Sequence, residues 1–393
     1  MKNTRGLSRR GFLRMLGAAA AGGAAAASGT RAYARVGAND RVRLAVIGCG
    51  GMGGRHVEAL ATNPQCDLAA VCDVYIPRYR NAAAVVENAA GKRPDGYQDF
   101  RRILDRGDID AILIATPDHW HPLLTILGCQ AGKDVYVEKP PCTAIAEGRA
   151  MVEAARRYGR VVQVGTQQRS MPLFQEAMAL IHAGKLGPIT GATAWVGTNG
   201  LIAEEHPQPV PDGLDWDLWL GPAPNVPFSP ERFGAFRIFD DYARGGELAN
   251  WGVHLFDIVH WGIGQDRPLS IQALGGTYGA GAGADNYEVI EALLEYPGCT
   301  ATWEQRHTNT HSGKGYGIRF QGRNGRLTID RGTFIVDPDS LGIGEVVGEP
   351  ERSWANPDHH NNFFDSIRTR KRPVADIEQG FRSAAAILLA GIA

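Results

Sequence analysis

Between residues 41 and 73 the chain runs through a strand, a glycine-rich turn, a helix and a second strand that ends in an acid. Arg41 to Ile47 reads as a buried strand, and Gly48-Cys49-Gly50-Gly51-Met52-Gly53 follows at once. A helical stretch from about Gly54 to Asn63 comes next. Leu68 to Cys72 is the second strand and Asp73 closes it, 25 residues after the first glycine. A GxGxxG in this setting predicts a dinucleotide site. Gly48 permits the tight turn, Gly50 leaves room for a pyrophosphate, and Gly53 lets helix and strand approach. The helix N-terminus, with Gly51 and Met52, faces the phosphate charge. Asp73 is expected to accept from the adenosine ribose hydroxyls and to repel a 2'-phosphate, which favours NAD over NADP.

The alternation of strand and helix continues. Ala111 to Ala115 is a strand followed by Thr116-Pro117-Asp118-His119-Trp120-His121. Asp134 to Val137 precedes Glu138-Lys139-Pro140-Pro141, and Val161 to Gly165 precedes Thr166-Gln167-Gln168-Arg169. Polar groups therefore gather just past strand C-termini, the edge of an open parallel sheet where ligands bind. The fold class expected is α/β, a Rossmann domain with a parallel sheet followed by an α+β domain.

From about Phe174 the pattern changes. Gly197 to Gly245 is a long, Pro-rich and aromatic stretch, unusual unless functional. Two readings are open for its aromatic residues, Trp216 among them: stacking on a sugar ring, or a structural belt over the sheet. Beyond it, strands are expected at Leu269 to Thr277, Asn286 to Glu295, Cys299 to Arg306, Tyr316 to Gln321 and Arg326 to Asp330. Tyr296-Pro297-Gly298 and Gly322-Arg323-Asn324-Gly325 are turn signals, so a large mixed or antiparallel sheet is expected. Asn361 to Arg370 and Ile377 to Leu389 read as closing helices.

Composition narrows the partners. The 393 residues carry 41 Lys and Arg against 42 Asp and Glu, a balance with no pull toward nucleic acid. Residues 1–34 hold six of the basic residues and no acid; without them 35 basic residues face 42 acidic, a net of -7. Ser8-Arg9-Arg10-Gly11-Phe12-Leu13-Arg14 sets paired arginines before a weakly apolar run, Met15 to Ala27, and Ala32-Tyr33-Ala34 offers small residues for cleavage. This segment looks like a twin-arginine export signal, too short and too rich in Gly and Ala for stable membrane insertion. A periplasmic or otherwise exported location is expected, with the twin-arginine machinery as a partner. The six cysteines form no CxxC pair and read as buried free thiols. His119 with His121, and His359 with His360, lack the setting of a zinc motif, and no metal site is expected.

These elements together resemble the Gfo/Idh/MocA oxidoreductases. The matching parts are Gly48-x-Gly50-x-x-Gly53, Thr116-Pro117 with His121, Glu138-Lys139-Pro140, and Gly245-Gly246 through Asn250 to His254. Trp216-Asp217-x-Trp219-Leu220-Gly221-Pro222 resembles an exported branch. The resemblance implies that Lys139 stands beside the nicotinamide and the reacting hydroxyl, where an ammonium stabilises a developing alkoxide. It implies that His254 is a general base or acid, whereas the residues alone also allow a core histidine. It gives most of Thr116, His119, His121, Glu138 and Gln167 to the cofactor, and Arg169 to substrate. Asn250, His254 and Asp257 share one helix face at their spacings; Asp257 either orients the His254 ring or makes a local bond. The family often has Asp where this chain has Asn250. An amide can position a hydroxyl but cannot take its proton, so proton transfer falls to His254 and Lys139.

The expected division is 1–34 signal, 40–168 dinucleotide domain, 169–357 substrate and oligomerisation domain, and 358–393 closing helices. The expected function is NAD-dependent oxidation of a carbinol of a sugar, polyol or glycoside by a homo-oligomer associated through the second sheet. Two alternatives stay open: a redox-neutral enzyme that recycles NAD, and a non-catalytic sugar-binding or sensor protein.

Overall fold

Val42–Ile47 is a run in which every residue except Arg43 is buried, as a strand covered on both faces requires. In the computed structural model, which describes residues 41–197, 205–278, 285–306, 314–348 and 356–393, it is β1, at the heart of the first sheet. The twin-arginine segment expected over residues 1–34 lies outside the described residues. After β1 come α1 (Gly51–Ala61), β2 (Cys66–Cys72), α2 (Ile76–Ala90), β3 (Asp95–Tyr97), α3 (Arg101–Leu104), β4 (Ala111–Ile114), α4 (His121–Gln130), β5 (Asp134–Val137), α5 (Ile145–Arg157) and β6 (Val162–Val164). The six strands are parallel in the order β3-β2-β1-β4-β5-β6. The order reverses at β1, and the crevice between β1 and β4 is where such sheets take ligands.

Alternate residues of β1 feed two cores. Ala45 and Ile47 join Leu124 of α4 and Met151 of α5, while Val42, Leu44 and Val46 join Val57 of α1 and Val86 of α2. All six cysteines are buried and unpaired.

The second unit begins with α6 (Pro172–His182) and β7 (Ile189–Gly197). The aromatic stretch that follows holds two short helices, α7 (Trp216–Leu220) and α8 (Pro230–Gly234), and leads into the long α9 (Glu247–Ile263). Then come β8 (Ser270–Gly276), β9 (Val289–Tyr296), β10 (Cys299–Arg306), β11 (Tyr316–Gly322), β12 (Arg326–Ile329), β13 (Thr333–Asp337) and β14 (Gly344–Val347). Their order is β14-β13-β12-β11-β7-β10-β9-β8, antiparallel except for the β7–β10 pair. The strict in–out alternation of β9 leaves one face exposed and one buried, the buried face packing on Phe174 of α6 and Phe256 and Val259 of α9. β9 starts three residues later than expected, and β13 and β14 extend the sheet beyond the strands read from sequence. Two last helices, α10 (Pro357–Thr369) and α11 (Ile377–Ala390), return to the first sheet: Phe363 and Phe364 seal one of its cores, Ile377 and Leu388 the other.

Candidate active site

The glycine turn is pressed onto the end of β4. Gly48 has φ +89°, and a Cβ there would stand 2.6 Å from the Ala115 carbonyl oxygen. A Cβ on Gly53 would meet the Gly48 carbonyl oxygen at 1.8 Å, so only glycine lets α1 start this close to β1. Asp73 braces the turn from the end of β2: its Oδ2 accepts from the Cys49 N–H at 2.7 Å and its Oδ1 from the Tyr75 N–H at 2.9 Å. Burial raises its pKa, against those two bonds and the nearby Arg78 charge. Asp73 still lines the cavity above the turn, so the position expected of a ribose acceptor also carries a structural duty. Arg78, which the sequence did not single out, stands beside Gly50 with its guanidinium 4.3 Å over the Phe233 ring.

From the turn a cavity of about 500 Å³ runs past Thr116 and Pro117 to Glu138 and Lys139, and ends at Asn250, Trp251 and His254 of α9. Gly48, Gly50, Gly51, Met52, Asp73, Thr116, His121 and Gln167 are on its wall. Gly53 acts from behind. These features fit a dinucleotide: a cradle that side chains would fill, free helix-start amides, and an acid at the β2 end.

Lys139 follows β5, and its bond to Pro140 is cis. Its Nζ donates to Asn250 Oδ1 at 2.5 Å and to the Asn250 carbonyl at 3.2 Å. Burial pushes its pKa down to about 8; the Arg237 and Arg331 charges add to this, while Glu138 and Asp118 oppose it. The Asn250 amide is held from its other end, its Nδ2 donating to Glu247 Oε2 at 3.0 Å. That assigns the amide orientation, since an ammonium can only donate and a carboxylate only accept.

His254 sits one turn beyond Asn250. Burial, then the Lys139 and Arg331 charges, hold its pKa well below the usual imidazole value, so the ring is neutral near pH 7. Its Nδ1 is buried with no hydrogen-bond partner. Asp257 does not orient this ring. It is turned to Arg169, whose Nε donates to Asp257 Oδ2 at 2.6 Å, and it takes a further bond from Ser383 at 3.3 Å. Arg169 lies over Trp261 and is off the cavity wall. The pair expected to serve base and substrate instead ties the loop after β6 to α9, because a buried carboxylate needs a cation more than a neutral imidazole does.

His119 is likewise off the wall. It is enclosed by Trp120, Trp219 and Tyr242, its Nε2 faces the Trp219 carbonyl at 3.2 Å, and burial lowers its pKa to about 4. His121 bridges the Pro140 and Thr116 carbonyls at 2.7 and 2.9 Å, locking the two strand ends that carry the site. Glu138 is buried and receives His56 Nε2 at 2.9 Å, the Gln167 amide at 3.0 Å and the Lys139 N–H at 3.2 Å. Behind it, His56 Nδ1 meets His360 Nε2 at 2.9 Å. Burial alone would raise the Glu138 pKa, but the bond and charge of His56 and the charge of Lys139 leave it lowered. His359 serves packing too, with Ser170 Oγ on its Nδ1 at 2.8 Å.

The aromatic stretch forms a buried belt and also part of the cavity wall. Trp216 stacks behind Trp219 at 4.5 Å and donates to the Val226 carbonyl; with Phe228, Phe239 and Tyr242 it forms a buried belt. Trp219, Phe233 and Phe236 face the cavity. Arg237 and Arg331 complete the wall near Lys139. No local motif pointed to either arginine.

Residues 42–166 match the Gfo/Idh/MocA oxidoreductases, an oxidoreductase family with an NAD-binding Rossmann fold, and residues 181–287 match the C-terminal α/β domain of the same family. The chain is 27% identical to the rhizopine catabolism protein MocA of Rhizobium meliloti over 65% of its own length and 68% of that protein's. It is 34% identical to inositol 2-dehydrogenase 2 of Saccharopolyspora erythraea over 37% of its length, spanning 42% of that enzyme. Among solved structures, levoglucosan dehydrogenase in complex with NADH has the same fold, with a TM-score of 0.70, 19% identity, and 90% of this chain and 96% of that one covered.

Proposed function

The chain belongs to the Gfo/Idh/MocA oxidoreductase family, with an NAD-binding first domain, and from this premise we propose that it oxidises a ring carbinol of a sugar or polyol. The observation that carries the reading is that Lys139 and His254 both line one cavity that opens from the glycine turn, with Asn250, one helical turn before His254, holding Lys139. His254, neutral and short of a partner, takes the hydroxyl proton. Lys139, held by Asn250, steadies the oxygen as its charge grows. Trp219, and Phe236 under Arg237, give the ring an apolar wall. When bound, NAD supplies the hydride acceptor at the carbinol carbon. Gly48 to Met52 and Asp73 hold its dinucleotide, and Thr116, Glu138 and Gln167 border the end toward Lys139.

The test is incubation of the purified protein and NAD with a panel of sugars, polyols and glycosides, products being analysed by mass. Appearance of a keto product with NADH is expected. A product without net NADH would redirect the reading to redox-neutral recycling, and bound sugar with no product to a binding protein.

The proposed setting is the periplasm, supported by Arg9-Arg10 ahead of the apolar run; R9K/R10K should leave the protein in the cytoplasmic fraction. Association into a homo-oligomer is proposed through the exposed face of the second sheet, where Leu274 and Leu293 stand in water. Sedimentation of the wild type against L274E/L293E tests it.

A further inference from the structure

The chain enters α9 through two glycines in the left-handed region, Gly245 at φ +79° and Gly246 at φ +51°, and a Cβ on Gly246 would stand 2.9 Å from the Asn286 side chain. That entry sets Glu247 on the first turn of the helix and Asn250 three residues on, along the same face. Glu247 is half-buried and off the cavity wall. It reaches the site through the amide: Asn250 Nδ2 donates to Glu247 Oε2 at 3.0 Å, while Asn250 Oδ1 accepts from Lys139 Nζ.

This chain of three has one direction. An ammonium only donates and a carboxylate only accepts, so the amide serves both with its oxygen toward Lys139. A lysine that loses its proton gains an acceptor lone pair, and an amide free to turn would offer it an N–H. The Glu247 carboxylate opposes that turn, which would set Asn250 Oδ1 against its own oxygens. The neutral amine is thereby denied a donor, and the protonated form is favoured. The other charges around Lys139 act through space. Glu138 beside it and Asp118 after β4 favour its charge, Arg237 of the aromatic belt and Arg331 of the β12–β13 turn oppose it, and His254, neutral, lies one turn further along α9. Among the described residues only Lys139 and Glu247 bond the Asn250 amide, so once Lys139 is neutral only Glu247 holds its direction.

Resting on the reading of Lys139 as the group that steadies the reacting oxygen, we propose that Glu247 is a positioning residue: by fixing the direction of the Asn250 amide it keeps Lys139 an ammonium, the form that donates to that oxygen.

Competitive labelling of the full chain tests this without turnover. Lys139 is half-buried on the cavity wall, and its reaction with acetic anhydride across pH, read by peptide mass, reports its free-amine fraction. E247Q keeps the size and the hydrogen bond, but a glutamine amide donates as well as accepts and can turn together with Asn250. The Lys139 midpoint should fall by about half a unit, a roughly threefold rise in free amine below it. E247L, which removes the acceptor, should give the same fall. In N250A there is no amide to direct, and adding E247Q should leave the midpoint where N250A alone puts it. Midpoints in E247Q and E247L equal to wild type overturn the inference, as does a Lys139 that never labels. A fall of equal size on adding E247Q to N250A also overturns it, since the carboxylate would then act by its charge alone. On a substrate found by the panel above, the alkaline limb of kcat/KM should move with the labelling midpoint while KM stays near wild type. The labelling shift without turnover of any substrate would keep the positioning role and remove the carbinol reading, and turnover with unmoved labelling would do the reverse.

Discussion

Lys139 spends two of its three ammonium protons on one residue, donating to both the side-chain oxygen and the backbone carbonyl of Asn250. The partner is neutral. The two bonds offset only part of the cost of burying the charge, since the amide brings no opposite charge, and the Lys139 pKa falls to about 8.

Replacing that partner by a carboxylate should undo the effect. In the wild type, kcat/KM for oxidation should hold between the low His254 pKa and about 8, then fall as Lys139 loses its proton. Asn250→Asp should move the alkaline limb up by about one unit or more. An unchanged limb in a pH–rate profile would show that Lys139 is not the group titrating.

Asp73 joins structure and specificity. Asp73→Ser removes a charge-assisted bond to the Cys49 N–H and the charge that repels a 2'-phosphate, while Arg78 remains close by. NAD affinity should drop by about tenfold and thermal stability with it, consistent with roughly 1.5–3 kcal/mol for a hydrogen bond to a charged group. The Kd for NADP should improve relative to that for NAD. Fluorescence titration of both cofactors checks this, and a ratio left at its wild-type value would argue against Asp73 as the discriminator.

His56 supports the site from behind. His56→Ala leaves Glu138 buried with one partner fewer and strands His360. Removing one member of a buried pair costs about 3–5 kcal/mol. Urea unfolding should register a loss of that order, with kcat reduced as well because Glu138 borders Lys139. A loss below about 1 kcal/mol would mean that water takes the place of the imidazole.

Arg169 offers a clean separation of roles. Since it binds Asp257 away from the cavity, Arg169→Ala should lower Tm by several degrees, in keeping with loss of a buried ion pair. At a temperature where the variant is folded, its KM should stay within about twofold of wild type. A large rise in KM would restore Arg169 to the substrate.

The glycine turn and the shared face of Asn250 and His254 were legible because each rests on short-range rules, whereas Lys139 stood out only through the family resemblance. A strand buried on both faces is a continuous apolar run, a turn that must admit another backbone needs glycine, and residues four apart on a helix share a face. β13 is a short apolar run, Phe334-Ile335-Val336, whose alternating burial appears only in the folded sheet. Trp216 could not be told from Trp219 by composition, since both are aromatic residues on the same short helix. Only packing sends one to the belt and the other to the wall.

Sequence alone thus determined the fold class and the glycine turn at the end of the first strand, because hydrogen bonding along helices and strands acts between near neighbours in the chain. Tertiary structure decided which charges meet. Asp257 finds Arg169 across 88 positions, Lys139 finds Asn250 across 111, and Arg331 reaches the cavity from the turn between β12 and β13 of the second sheet. A buried ion takes whichever partner the packed chain brings within a few ångströms, and that distance is not a property of any local stretch.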